Sequence, residues 1–356
     1  MGVLYSKLKM FHFKDKLNSL PADNPQILAP LHVRLKPTNV CNHDCWYCAY
    51  RRDTTQLGKD MSVRDHIPEP KMMALVDDFI DMGVKAVTFS GGGDPLCYPY
   101  MTKTGLRLAD AGIKIAALTN GALLTGEVAE LFAARGSWIR VSVDGWDGRS
   151  YAGYRGVSEK EFERVVKNLT EFRKNSSSCL LGVVIIVDNK NYSHVYDLIH
   201  MYHDMGLHSV KVAPCFTSND GDENNRYHAP HFNQVKEQIQ RAINEFQSAS
   251  FEIFDSYYEQ LCTFHKSYDW CPYIQINPVV GADMNVYSCH DKAYNLDEGL
   301  LFSIRDSSFK EGWMADKRQF FKISPPCHCN HHCVVNEKNK MILEYLNLDR
   351  DHLVFV

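Results

Sequence analysis

The stretch "HVRLKPTNVCNHDCWYC", residues 32–48, joins an apolar, β-forming run to a loop that carries three cysteines. Cys41, Cys45 and Cys48 have the spacing C-x3-C-x2-C, which lets one loop wrap an iron–sulfur cubane. Full cysteine ligation of such a cluster needs four thiolates, so three leave one iron open. An open position on a metal site is usually there for a ligand. A zinc knuckle is the alternative, but it would need a fourth ligand nearby, and His43 is poorly placed between two cysteines.

From this first strand onward, apolar β-rich runs alternate with helical patterns, which predicts repeated βα units and a parallel sheet. The length of about 30 residues per unit matches the usual length of a βα unit in a βα barrel. Six units make a partial barrel rather than a closed eight-stranded one. The six predicted strands cover residues 32–38, 85–90, 113–120, 138–144, 180–187 and 208–214.

The repeat ends at the polar loop "TSNDGDENN", residues 217–225, and the composition then changes. The last 90 residues or so hold a predicted hairpin at 273–289 and the cysteine- and histidine-dense stretch "CHCNHHC" at 327–333. We therefore predict an α/β protein with a small C-terminal domain built around a metal centre. The predicted parts are an N-terminal extension (1–30), the partial barrel (31–230), a connecting helix (231–260) and the C-terminal domain (261–356).

Composition excludes several classes of protein. The 356 residues carry a formal net charge of −4 and no basic stripe, so nothing indicates nucleic-acid binding. No run of 18 apolar residues and no signal peptide is present, which predicts no membrane span. Eight of the twelve cysteines fall into two sets, a pattern that favours metal or iron–sulfur ligation in a reducing compartment over disulfides. The predicted location is cytoplasmic.

The segment "FSGGGDPL", residues 89–96, ends the second predicted strand in three glycines and an acid. Glycines there let the backbone approach a ligand closely. With the thiol loop, this segment resembles the radical S-adenosylmethionine (SAM) superfamily, whose glycine–glycine–glutamate element holds the SAM amino group. Asp94 stands in place of the usual glutamate, and Gly93 is an additional glycine.

The resemblance implies a cofactor and a chemistry. In this family the open iron chelates the amino and carboxylate groups of SAM, and one electron from the 4Fe–4S cluster cleaves SAM to a 5′-deoxyadenosyl radical. The aromatic residue before the third cysteine packs by the adenine, and "VSVDGWD…YRG" resembles the ribose and carboxylate contacts. The implied SAM-binding residues are Tyr47, Ser90, Gly91, Gly92, Gly93, Asp94, Asn120, Ser142, Asp144 and Arg155.

The C-terminal cysteines resemble the twitch domain, a shortened relative of the SPASM domain, which holds one auxiliary 4Fe–4S cluster. The implied ligands are Cys271, Cys289, Cys329 and Cys333, with Cys327 as the alternate to Cys329. Four thiolates would saturate this second cluster. The alternative is a zinc site that uses cysteine with His328, His331 or His332.

The resemblance also implies a function. We expect a radical SAM oxidoreductase that abstracts hydrogen from a small, sugar-like or polyol substrate, free or nucleotide-linked, and oxidises an alcohol. A flavodoxin- or ferredoxin-type protein would supply the electron. Two alternatives stay open, a peptide- or protein-modifying enzyme and a sugar epimerase with Cys215 or Cys97 as hydrogen donor. Only about 30 residues precede the first strand, which leaves no room for the leader-binding domain that peptide modifiers often carry.

Overall fold

Ten β-strands form one sheet in the computed structural model, which describes residues 6–55, 57–176, 178–262 and 264–355. The strands are β1 (His32–Leu35), β2 (Ala86–Phe89), β3 (Lys114–Thr119), β4 (Gly136–Val143), β5 (Leu180–Val187), β6 (Ser209–Pro214), β7 (Glu252–Asp255), β8 (Val279–Val280), β9 (Asn285–Tyr287) and β10 (Leu300–Ser303). Their order across the sheet is β10-β9-β8-β1-β2-β3-β4-β5-β6-β7.

The first six strands are those predicted from the sequence, and each pairs in parallel with the next. The α/β partial barrel is therefore confirmed. The structure adds β7, a seventh parallel strand that pairs with β6 at one edge of the sheet. At the other side of β1, β8 pairs in parallel, whereas β9 and β10 are antiparallel.

Alternation along β1 separates the two faces of the barrel wall. Val33 and Leu35 are fully buried among the apolar side chains under the helices. Successive side chains of a strand point to opposite faces, so His32, Arg34 and the following Lys36 lie on the inner face. The Nε2 atom of His32 lies 2.8 Å from the hydroxyl oxygen of Thr88 on β2. The inner wall of the barrel is thus polar at β1.

Thirteen α-helices are found in the described residues, and those between the parallel strands cover the outside of the barrel. They are α1 (Lys14–Asn18), α2 (Glu69–Met82), α3 (Met101–Asp110), α4 (Gly126–Arg135), α5 (Gly148–Arg155), α6 (Lys160–Asn175), α7 (Val195–Asp204), α8 (Gly221–His228), α9 (Phe232–Phe246), α10 (Ser256–Cys262), α11 (Phe309–Ala315), α12 (Pro325–His328) and α13 (Asn336–Asn347). None of the described helices is long and apolar enough to cross a membrane.

The connection after the barrel differs from the prediction. The range 231–260 was expected to hold one connecting helix, but α9 ends at Phe246 and is followed by β7 and the start of α10. The sequence "FEIFD" at 251–255 is too short to be told from a helical segment by its pattern alone. The predicted C-terminal hairpin is present as β8 and β9, and it extends the barrel sheet through β1.

The N-terminal segment packs on the C-terminal part of the chain. Met10, Leu17 and Leu20 form a small apolar cluster with Ile276 and Ile342 of the C-terminal part. Residues 1–5 of the predicted extension lie outside the described residues.

Candidate functional site

The thiol loop that follows β1 is attached to the end of α5. The amide of Asp44 donates to the carbonyl of Arg155 at 2.8 Å, and the amide of Trp46 donates to the carbonyl of Tyr154 at 3.3 Å. Gly156, which caps α5 with φ 62°, lies so close that a Cβ there would meet the carbonyl oxygen of Asp44 at 2.6 Å. A side chain at this position would push the loop away, so glycine fixes where the thiols stand.

The three thiols of the loop are half-buried. Burial raises the pKa of Cys41 to about 12 and also raises the pKa of Cys48. The Cys45 sulfur accepts from Arg155 Nη1 at 3.5 Å. Thiolates, not thiols, bind metal, so a bound cationic cluster would supply the charge that these sulfurs need to stay deprotonated.

Arg155, Asp144 and Tyr47 form a buried polar group beside the thiols. Arg155 Nη2 lies 2.5 Å from Asp144 Oδ2, and the Tyr47 hydroxyl donates to the same carboxylate. The other oxygen of Asp144 accepts from the amide of Ile186 at 3.0 Å. Burial raises the pKa of Asp144, and the Arg155 charge opposes that shift. Asp144 and Arg155 are almost wholly inaccessible to solvent. Loss of either side chain would therefore leave the other as a buried, unpaired charge.

The glycine loop after β2 packs directly on the segment between β1 and the thiols. A Cβ on Gly93 would meet the carbonyl oxygen of Val40 at 2.1 Å, and one on Gly92 would meet the Asn39 amide oxygen at 2.4 Å. A Cβ on Gly91 would meet the carbonyl oxygen of Gly93 at 1.8 Å. Backbone, not side chains, therefore forms the surface of this loop next to the thiols.

The Asp94 carboxylate accepts hydrogen bonds from three groups of the protein. It accepts from the amide of Leu96 at 2.9 Å, from the Thr119 hydroxyl at 2.8 Å and from the amide of Asn120 at 2.6 Å. Burial raises the pKa of Asp94, and these hydrogen bonds oppose the shift. The carboxylate thus ties the end of β2 to the end of β3, and a SAM ammonium would have to share it with these donors.

The remaining predicted residues lie at the same carboxyl edge of the sheet. Asn120 Nδ2 donates to Asn42 Oδ1 at 2.7 Å and lies 3.9 Å from the Cys41 sulfur. Ser90 is buried, and no described residue bonds its hydroxyl. Ser142 is half-buried, two residues before Asp144 on β4.

The two candidate hydrogen donors differ in accessibility. Cys97 is half-buried, and its thiol donates to Asn42 Oδ1 at 3.6 Å, close to the thiol loop. Cys215 is buried directly after β6, and burial raises its pKa to about 12. Both thiols therefore keep their hydrogen at neutral pH, as a hydrogen-atom donor must.

Four C-terminal cysteines are brought within electrostatic range of one another. Burial raises the pKa of Cys289, Cys329 and Cys333. The charge of Cys271 adds to the shift of Cys289, and the charge of Cys289 adds to the shifts of Cys329 and Cys333. Asn339 Nδ2 donates to the Cys271 sulfur at 3.2 Å. Cys327 is exposed, whereas Cys271, Cys289, Cys329 and Cys333 are half-buried. The arrangement favours Cys329 over Cys327 as the fourth candidate ligand.

The nearby histidines face other partners. His328 Nδ1 accepts from the amide of Ser324 at 3.0 Å, His331 Nε2 lies 3.7 Å from Asp291 Oδ2, and His332 Nε2 lies 3.1 Å from Asn225 Oδ1. Among the described residues, no three Cys, His, Asp or Glu side chains stand close enough to hold one metal ion. A single zinc would need all its ligands about 2.3 Å away. A four-iron cluster binds each thiolate to a separate iron.

Three residues that the sequence analysis did not single out connect the two cysteine sets. Lys36 is fully buried, and its ammonium donates to the Tyr50 hydroxyl and, at 3.2 Å, to the carbonyl of Gly91. The Tyr50 hydroxyl lies 3.1 Å from His290 Nδ1, and His290 adjoins Cys289. Burial lowers the pKa of Lys36 well below its usual value. The signal in the sequence was the run of alternating polar residues, His32, Arg34 and Lys36, on an otherwise buried strand.

Comparison with known proteins matches the barrel to one family. The family model described as "Radical SAM superfamily" matches residues 35–209, about half of the chain. The chain is 24% identical over 196 residues to an AdoMet-dependent heme synthase of Methanosarcina barkeri, covering 55% of this chain and 53% of that protein. It is 27% identical over 174 residues to a GTP 3′,8-cyclase of Synechococcus elongatus, covering 49% and 51%. The chain thus spans about half the length of these relatives.

Solved structures resemble the fold over a longer range. Streptococcus suis SuiB bound to S-adenosylmethionine aligns with a TM-score of 0.63 at 14% identity, over 89% of this chain and 73% of that chain. anSMEcpe with bound AdoMet aligns with a TM-score of 0.58 at 17% identity, over 89% and 97%. At such identities the likeness concerns the fold alone, a barrel followed by a C-terminal segment.

Proposed function

Since residues 35–209 of this chain form a radical SAM domain, we propose that the protein is a radical SAM oxidoreductase that oxidises an alcohol of a carbohydrate or polyol-type substrate, free or nucleotide-linked. SAM and a 4Fe–4S cluster belong to the domain. The observation that carries the proposal is the polar chain of Lys36, Tyr50 and His290, which runs between the thiol loop and the C-terminal cysteines. A substrate held there would lie between two redox centres.

In this proposal Cys41, Cys45 and Cys48 hold the cluster that binds SAM, which supplies a carbon-centred radical when SAM is cleaved. The backbone of Gly91–Gly93 receives the SAM amino group, with Asp94 holding the loop in place. The ring of Tyr47 would pack by the adenine of SAM. The Tyr47 hydroxyl donates to the carboxylate of the Asp144–Arg155 pair, and this hydrogen bond holds the ring beside the thiols. Ser90, Asn120 and Ser142 offer the remaining polar contacts.

The second cysteine set gives the reaction its electron acceptor. Cys271, Cys289, Cys329 and Cys333 would saturate an auxiliary 4Fe–4S cluster of a twitch-like domain. With no open iron, its remaining task is electron transfer. An alcohol becomes a carbonyl when its carbinol carbon loses a hydrogen atom, its hydroxyl loses a proton and the resulting radical loses one electron. The hydrogen atom would leave on 5′-deoxyadenosine, and an auxiliary cluster held by these thiolates would supply the acceptor for the electron.

The hydroxyl proton needs a base, and Lys36 is the candidate. Its ammonium pKa is lowered by burial and by the charge of Arg34, which favours the neutral amine. Its contact with Tyr50 places it on the side of the lumen that faces both cysteine sets. A neutral amine at this position can accept the proton as the carbonyl forms.

The mass of the product tests this function. Reduced enzyme, SAM and candidate sugars in deuterated buffer are expected to give 5′-deoxyadenosine and a product lighter by about two daltons, because two hydrogens leave the substrate. Gain of one deuterium without loss of mass would contradict oxidation and support an epimerase, whose hydrogen would come from Cys215 or Cys97. A modified peptide as the only product would contradict the carbohydrate substrate.

A basic surface beside the thiol loop offers a place for the flavodoxin- or ferredoxin-type donor. A depression of about 650 Å³ is lined by Trp46, Trp146, Arg149 and Lys190 among others. The Lys190 ammonium lies 5.2 Å from the Trp46 ring centre, with the Arg52 guanidinium 5.4 Å away. The described residues give these cations no carboxylate within ion-pair distance. Trp46 follows Cys45 directly, so an acidic protein docked here would be close to the cluster.

The Arg149→Glu/Lys190→Glu variant is therefore expected to slow flavodoxin-driven 5′-deoxyadenosine formation about tenfold or more at low ionic strength, because surface charge sets the association rate. Dithionite needs no docking, so its reaction should proceed at the wild-type rate. Lys310→Glu, a charge reversal at an exposed lysine of α11, serves as the matched control. Equal slowing with dithionite would contradict a docking role.

A further inference from the structure

A cavity of about 300 Å³ lies in the gap between the β7 edge of the sheet and the C-terminal segment. Arg140 of β4, Lys211 of β6 and Phe254 of β7 line it from the barrel. Residues 256–260 at the start of α10, the N-terminal turn and the chain around 333–338 complete the wall. The cavity therefore joins the barrel lumen to the C-terminal cysteine region.

Positive charge dominates this cavity. Its two acids are already paired, Glu259 with Lys7 at 2.5 Å and Glu337 with Lys340 at 3.0 Å. The lining holds five basic residues, Lys7, Lys9, Arg140, Lys211 and Lys338, against these two acids, so its formal charge is +3. An excess of basic groups in a small cavity attracts an anion.

Lys211 is the residue of the cavity wall that most needs an anionic partner. It is half-buried in the barrel wall, and its ammonium lies 5.7 Å from the ring centre of Phe254. The described residues offer that ammonium no hydrogen-bond acceptor. Burial, with the charges of Arg140 and Arg34, lowers the pKa of Lys211 to about 7. A desolvated cation without an acceptor is costly, and an anionic ligand would remove that cost.

The cations of the cavity are distinct from those around the C-terminal cysteines. The cysteine charges bear on Lys266, and Lys292 in turn acts on Cys289 and Cys329. The charges that bear most on Lys211 are Arg140, Arg34, Glu259 and Lys338. Cys333 also lines the cavity, so an auxiliary cluster would border it, but the cations of the wall are not among the charges that act most on the cysteines.

The cavity is also connected to the reaction centre. Arg34 lies close enough to Lys211 and to Lys36 to lower the pKa of each, and Lys36 lies within electrostatic range of Cys48. The Arg34 Nε atom is buried without a hydrogen-bond partner in the described residues. The cavity and the thiol loop are thus linked through the electrostatic reach of Arg34, which also acts on the buried Asp291 carboxylate.

We propose that this cavity binds an anionic group of the substrate, a phosphate or a carboxylate, whose reacting end extends past Arg34 toward the thiol loop. The proposal rests on the function proposed above and narrows the substrate to an acidic one. Lysine and arginine give short, charge-assisted hydrogen bonds to such oxyanions.

Titration calorimetry on the cluster-loaded protein at constant ionic strength tests the proposal. The probes are pyrophosphate for the phosphate source, citrate for the carboxylate source and glucose as a neutral reference. Binding of pyrophosphate or citrate, but not of glucose, is expected, and the stronger of the two identifies the source. Lys211→Met should weaken the binding of that anion about tenfold or more, since one charged hydrogen bond is lost.

The controls separate this inference from the proposed function. Lys310→Met should bind as the wild type does, and Lys211→Arg should retain most of the affinity because it keeps the charge. If Lys211→Met does not fold, Lys211→Arg is compared with Lys338→Met instead. Lys338→Met should then bind the anion more weakly than Lys211→Arg does. Dithionite-driven 5′-deoxyadenosine formation by the wild type reports on the proposed function alone. Absence of anion binding to the wild type, or equal affinity in Lys211→Met, would overturn the anion site.

Discussion

The Cys41→Ala/Cys45→Ala/Cys48→Ala variant is expected to lose about half of the iron of the reconstituted protein and all 5′-deoxyadenosine formation. The reason is that these thiols hold one of two four-iron clusters in our account, and no other described cysteine except Cys97 lies beside the glycine loop. Iron analysis and chromatography of the SAM cleavage products, on anaerobically reconstituted protein reduced with dithionite, give the two readouts.

Cys262→Ala is the matched control, because Cys262 is exposed and belongs to neither cysteine set. It should keep both the iron and the cleavage activity. If the triple variant still formed 5′-deoxyadenosine, the thiol loop would not be the site of SAM cleavage, and the assignment of Tyr47 and Gly91–Gly93 to SAM would fail with it.

Replacement of Cys333 by alanine is expected to uncouple the reaction. SAM cleavage should continue, because the thiol loop is unchanged, while oxidised product should fall at least about tenfold, because the substrate radical has lost its electron acceptor. The measurement is the ratio of 5′-deoxyadenosine to oxidised product in one reaction, which should rise from near one in the wild type.

Cys327→Ala provides the control from the same segment, since the structure leaves Cys327 exposed. Its ratio should match that of the wild type. Uncoupling by Cys327→Ala and not by Cys329→Ala would exchange their roles. An unchanged ratio in Cys333→Ala would remove electron transfer from the tasks of this cysteine set.

The sequence was most informative where a pattern repeats. Six parallel strands followed from alternating apolar runs and helices, because a strand buried on both faces must be apolar and β-branched, as "LLGVVIIV" in β5 is. Gly83 ends α2 in the left-handed conformation, with φ 78°, which glycine adopts readily.

The rest depended on contacts between distant segments. β7 is four residues long and is defined by pairing with β6, which no local pattern reveals. The chain of Lys36, Tyr50 and His290 joins residues more than 200 positions apart. Asp94 looked like a ligand for the SAM ammonium, but its bonds to Thr119 and Asn120 depend on β3 lying beside β2. Tertiary pairing, not propensity, decides such features.

The content of iron, sulfide and zinc in the anaerobically reconstituted wild-type protein decides whether one chain holds two iron–sulfur clusters. Two four-iron clusters in one chain predict about eight irons and about eight acid-labile sulfides per chain, with no stoichiometric zinc. About four irons together with one zinc would contradict the account, because the C-terminal cysteines would then hold a structural ion and could not accept an electron.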